Sequence, residues 1–100
     1  MTDECVKSAS LQFLPGAREY ARLGAIPGGL KNNREFSSCV VEMTRALPTE
    51  VEDLLYDPQT SGGLLISLPE ADRAALEGSL PDAYCIGRVM SRQVKPIRLI

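Results

Sequence analysis

Apolar residues cluster along this chain in runs that punctuation residues separate cleanly. The most continuous run is Gly63 to Leu68 (GLLISL), aliphatic at nearly every position and closed by Pro69. Such a run predicts a central strand covered on both faces. Pro69 to about Leu80 then follows a helical period, with Ala71, Ala74, Ala75 and Leu76 as its apolar stripe. Upstream, Ser10 to Leu14 alternates and ends at Pro15, which predicts a short strand entering a turn. Pro15 suits the first turn of a helix over Gly16 to Leu23, with Ala17, Tyr20, Ala21 and Leu23 inward and Gly24 as C-terminal cap.

Between these stretches the pattern is weaker. Ala25 to Arg34 is rich in glycine and asparagine and reads as a loop, made locally basic by Lys31 and Arg34 beside Gly28 and Gly29. It is either a solvated connection or a phosphate-facing loop. Phe36 to Val41 predicts a short strand. Thr49 is a candidate N-cap, and Glu52 three residues later completes a capping-box pattern. That helix runs to Leu55 or Tyr56 and presents Val51, Leu54 and Leu55 inward. Asp82 to Met90 reads as a strand in which Gly87 marks a bulge or a close approach. Ser91 to Lys95 is a turn, and Pro96 to Ile100 a closing strand.

The order of elements argues for an α+β fold: a mixed, mostly antiparallel sheet with helices packed on one face. The last two strands are expected to pair as a hairpin. Residues 1–9 read as a flexible, irregular lead-in and residues 10–100 as a single domain, a common size for one core.

Asp57-Pro58-Gln59-Thr60-Ser61-Gly62-Gly63 sets polar side chains and paired glycines directly against the aliphatic run. Pro58 lacks an N–H and biases Asp57 towards extended backbone, so a helix arriving from upstream stops here. Thr60 and Ser61 offer hydroxyls, while Gly62 and Gly63 can take positive φ and leave their amides unshielded. Successive bare amides can form a nest for an anion. Two readings stay open: a turn that launches a strand, or a polar loop at the edge of an active cleft.

Composition narrows the chemistry. The chain has 100 residues, 44% hydrophobic and 24% charged, with a net charge of −2, and this gives no general footprint for nucleic acid. No run approaches the roughly 18 apolar residues that span a bilayer. The acidic start, Met1 to Cys5, does not resemble a secretory signal, so a cytoplasmic location is expected. With no histidine, the usual general base and the Ser-His and Cys-His nucleophiles are excluded. Cys5, Cys39 and Cys85 are widely spaced and odd in number, which argues against a disulfide framework and a zinc site. Cys5 reads as a thiol near a mobile end, Cys39 and Cys85 as buried or incidental. No catalytic nucleophile and no metal ligand can be assigned.

The string Leu54 to Leu65 (LLYDPQTSGGLL) resembles the DPQTSGGLL motif of the selenophosphate synthetase (selenide, water dikinase) family. Leu14 to Ala17, Gly24 to Gly29 and Asn32-Asn33 resemble a second segment of that family in the same order, and Ile86 to Val89 a third. The resemblance runs over about residues 10–100 and implies most of a C-terminal α+β domain, similar to that of aminoimidazole-ribonucleotide synthetase. It implies a parent enzyme that uses ATP and magnesium to convert selenide and water into selenophosphate, with release of AMP and phosphate. Selenide and ATP would be bound through a missing N-terminal domain.

The family's glycine-rich N-terminal loop, catalytic cysteine or selenocysteine with its lysine, and metal-binding aspartates have no counterpart here. Nor does a GFGLLGH-like block precede residue 10. This chain alone is therefore expected to be inactive and to hold no cofactor. Thr60, Ser61, Gly62 and Gly63 are the candidate substrate or phosphate contacts, and Asp57, Pro58, Gln59, Gly28 and Gly29 the structural motif around them. A homodimer is expected, without nucleic-acid or membrane partners. The alternatives are a related ATP enzyme of hydrogenase maturation or purine synthesis, and a stand-alone binding or dimerisation module.

Overall fold

The computed structural model of the chain describes residues 2–59 and 62–100. Four strands form one mixed sheet: β1 (Thr2–Val6), β2 (Val41–Met43), β3 (Gly87–Ser91) and β4 (Ile97–Leu99), in the order β2-β4-β1-β3. The α+β architecture and the mixed sheet are as the sequence predicts. The balance of pairings is not: β1 and β3 are antiparallel, whereas β1–β4 and β2–β4 are both parallel.

The hairpin expected between the last two strands is absent because β1 lies between them. Lys7 N–H donates to the Ile86 carbonyl on one side of β1, and Glu4 N–H to the Pro96 carbonyl on the other. The presumed lead-in is thus a central strand. Its acidic residues hid it: Asp3 is buried, and its carboxylate accepts the Gln93 backbone N–H, so the burial of that polar group is compensated.

Four helices complete the described structure: α1 (Ala17–Arg22), α2 (Gly28–Ser37), α3 (Thr49–Leu55) and α4 (Arg73–Ser79). Gly16 and Gly24 flank α1 at φ +85°, the left-handed conformation glycine tolerates, and Gly24 N–H caps the Ala21 carbonyl. Of the predicted inward face of α1, only Ala21 is buried; Tyr20 and Leu23 are exposed. α3 begins at Thr49 after an extended Pro48, without a side-chain cap, so the expected capping box does not form.

The largest revision is α2, where the sequence predicts a loop. Glycine and asparagine disfavour a helix interior by only a fraction of a kcal/mol to about 1 kcal/mol per residue. Tertiary anchoring outweighs that here, since Leu30 is the one large side chain among the described residues to be fully buried, at 1% exposure. The strand expected at Phe36 to Val41 moves accordingly: α2 continues to Ser37, and β2 starts at Val41. Ser10 to Leu14 holds no strand, only the end of a short 3-10 turn, Ser8–Ser10.

Gly63 to Leu68 is also not a strand. Leu64 is 90% and Leu65 69% exposed, because β1 occupies the central position and no described element covers this run. The alanine stripe of α4 is likewise exposed. Cys39 and Cys85 are exposed rather than buried, and Cys5 sits within β1. The buried apolar residues are Ala21 of α1, Leu30 of α2, Val51 of α3, Tyr56 at the end of α3, and Leu99 of β4. Between α2, the end of α3 and the strands lies a cavity of about 350 Å3, lined by Asn33, Tyr56, Asp57, Val6, Val41 and Leu99 among others.

Candidate functional site

The two sequence blocks that look like motifs, Gly24 to Asn33 and Asp57 to Gly63, meet in space. α3 ends at Leu55, and the Asn33 side-chain amide donates to the carbonyl of the next residue, Tyr56, at 2.9 Å. That carbonyl belongs to the last turn, where helical acceptors lack intrahelical partners. Arg34, the next residue of α2, lies over the Tyr56 ring with its guanidinium carbon 5.3 Å from the centroid. The same guanidinium pairs with Asp53 and lies 3.8 Å from Glu52. One residue pair on α2 therefore fixes the carbonyl, the ring and the acidic face of α3.

At the start of α2, Gly29 meets Pro58. A Cβ at Gly29 would sit 3.4 Å from Pro58 Cγ, an ordinary van der Waals distance, so the proline ring lies beside the start of the helix. The entry to the Asp57–Gly63 loop is thus held at both ends of a single α2 segment. Asp57 N–H donates to the Leu54 carbonyl, which finishes the turn that leads into Pro58.

Charge and burial act together here. Burial pushes the Tyr56 phenol above its ordinary value; the nearby Glu52 carboxylate adds to this and the Arg34 charge partly opposes it. On the far side of α3, Glu50 is held below the usual carboxylate range, first by a backbone N–H at the helix start and then by Arg22 and Arg18.

The proposed contact residues Thr60 and Ser61 lie outside the described residues. Gly62 is exposed beside Gln59, and a Cβ there would fall 2.5 Å from the Gln59 amide oxygen. Gly63 and Gly28 face open space. Gly63 does not adopt positive φ. Asn33, Arg34 and Tyr56 were not singled out from the sequence as site residues. The signal was an asparagine pair inside what turns out to be a helix, a position such residues occupy at a cost unless a tertiary contact employs them.

Two carboxylates of α3, Glu52 and Asp53, are engaged by Arg34. Among the described residues no group of three or more His, Cys, Asp or Glu could hold a metal ion. No helix among the described residues is long and apolar enough to cross a membrane.

Fold and site together define an α+β module in which the end of α3 and Pro58 lie against α2. By sequence the chain is related to the selenide, water dikinases and matches the C-terminal part of that larger protein. It is 39% identical to selenide, water dikinase of Clostridium botulinum (strain Eklund 17B / Type B) over 94 residues, covering 90% of this chain and 27% of the relative. With selenide, water dikinase 2 of Peptoclostridium acidaminophilum it shares 38% identity over 101 residues, 95% of this chain and 28% of the relative. A shorter match, to selenide, water dikinase of Escherichia coli O139:H28 (strain E24377A / ETEC), reaches 53% identity over 60 residues, 59% of this chain and 16% of the relative. The chain thus spans little more than a quarter of the first two relatives' length. No family model matches it.

Proposed function

We propose that this chain serves as the C-terminal portion of a selenide, water dikinase. The parent enzyme consumes ATP, selenide and water and yields selenophosphate, AMP and phosphate, with magnesium held by its N-terminal domain. The chain by itself is inactive, because it lacks carboxylates set beside a phosphate-holding loop, and phosphoryl transfer depends on positioning and charge neutralisation. Its contribution is to place the Asp57–Gly63 loop at the cleft between domains, with Thr60, Ser61 and the Gly62 and Gly63 amides against a phosphate or the selenium substrate. The working assembly is a cytoplasmic homodimer without nucleic-acid or membrane partners.

The observation that carries this reading is the meeting of the two family-like blocks through Asn33 with Tyr56 and Gly29 with Pro58. Two sequence segments that match the same enzyme in the same order are also partners in space. The test is a chimera in which this chain replaces the matching C-terminal part of the Clostridium botulinum relative. Thr60→Val and Ser61→Ala in that chimera should each lower kcat/KM by about tenfold or more, as expected for loss of a charge-assisted contact. Unchanged kinetics at unchanged thermal stability would remove the loop from the chemistry.

A further inference from the structure

A second hollow, of about 200 Å3, lies where the turn after β1, the start of α1 and the approach to α3 meet. Phe13, Leu47 and Val51 contribute apolar wall, and the guanidinium-bearing residues Arg18 and Arg45 line the same space. Among the described residues no acidic one lines it. Arg45 has no carboxylate partner among the described residues. Instead its Nη2 donates to the Ser8 hydroxyl at 3.1 Å, and that hydroxyl donates to the Ile100 carbonyl at 2.8 Å. Ser8 is only 6% exposed and is anchored further by its own N–H to Ile100, so Arg45 is braced from a fixed point. Arg18 lies 3.5 Å from Glu50, whose same oxygen is held more closely by Arg22 at 3.1 Å. Both cations at the hollow therefore keep donors to spare.

We infer that this hollow binds a small phosphate monoester with a compact apolar body. Charge complementarity selects an anion. Two arginines with unspent donors suit the several oxygens of a phosphate better than a single carboxylate, which one guanidinium fork can satisfy. The apolar walls select the rest of the ligand, because a ring or short aliphatic body gains by leaving water there. Size favours a small ligand: the hollow, at about 200 Å3, is smaller than the roughly 300–1,000 Å3 typical of sites for drug-sized ligands. This site is separate from the Asp57–Gly63 loop and does not depend on the reading given above for that loop.

The test is a titration of the 100-residue chain with phenyl phosphate, followed by amide chemical shifts, with inorganic phosphate and benzoate as comparators. Saturable shifts centred on Ser8, Phe13, Arg18 and Arg45, with phenyl phosphate binding about tenfold or more tightly than either comparator, are expected. Arg45→Gln should weaken binding by about tenfold or more. Arg45→Lys, which retains the charge and guards against loss of folding, should weaken it to a lesser degree, and Arg92→Gln outside the hollow should change nothing. Shifts that fail to saturate, equal binding of inorganic phosphate or benzoate, or an equal loss in Arg92→Gln would each overturn the assignment.

Discussion

The side-chain amide of Asn33 donates to the carbonyl oxygen of Tyr56 at 2.9 Å, across 23 residues of chain. This bond ties the middle of α2 to the residue at which α3 gives way to the Asp57–Gly63 loop. Replacing Asn33 with Ala leaves a half-buried carbonyl without its partner, a loss of about 1–3 kcal/mol. Urea unfolding should show a correspondingly lower midpoint in Asn33→Ala. An unaltered midpoint would mean that water serves that carbonyl equally well.

Tyr56 should make the fold sensitive to alkali. Burial raises its folded pKa above the ordinary value of 10.0, so the folded state holds its proton when the unfolded state has lost it. The associated stability is complete below that ordinary value and is lost as pH rises through the raised folded value. Tyr56→Phe cannot titrate and should flatten the alkaline limb of a stability–pH curve. A limb of identical slope in the variant would assign the effect elsewhere.

Glu50 should act in the opposite direction. Its folded pKa lies below the ordinary 4.5, so its contribution is complete above that value and fades as pH falls through the folded one. Glu50→Gln is expected to reduce the acid sensitivity of thermal unfolding. Added salt should reduce the same sensitivity in the parent chain, because Arg18 and Arg22 are both largely solvent-facing. Persistence of the full acid effect in the variant would contradict this.

At Gly87, β3 leaves no room for a side chain against β1. A Cβ there would lie 2.0 Å from the Cys5 carbonyl oxygen, a backbone atom that cannot swing aside. Gly87→Ala must push the strands apart, and a loss of at least about 1–3 kcal/mol is expected from overpacking alone. Denaturant unfolding of this variant next to Gly78→Ala, where a Cβ meets nothing within 4 Å, separates the steric effect from general loss of glycine.

The elements that could be read from the chain are those with strong local punctuation. α3 runs from Thr49 to Leu55 as its pattern predicts, Pro58 lies just beyond its end, and β4 falls within the predicted Pro96 to Ile100. Gly87 proves to be the close approach its position suggested. What was hidden depends on distant partners. β1 carries two acids, and only the Gln93 N–H makes burial of Asp3 acceptable. α2 has weak helix formers, and the burial of Leu30 and the contacts of Asn33 and Arg34 to α3 and Tyr56 hold it. Gly63 to Leu68 has the strongest local strand signal but lacks a neighbour to pair with among the described residues. The site divides in the same way: its two blocks were visible as strings, while the side-chain-to-backbone bond that joins them was not.

Whether this chain supplies the C-terminal portion of a selenide, water dikinase is decided by the chimera with the Clostridium botulinum relative. Phosphorus NMR of the chimera given ATP, magnesium and selenide should show selenophosphate, AMP and phosphate, while the 100-residue chain under the same conditions should show unchanged ATP. A folded chimera that makes no selenophosphate, or turnover by the chain on its own, would contradict the account.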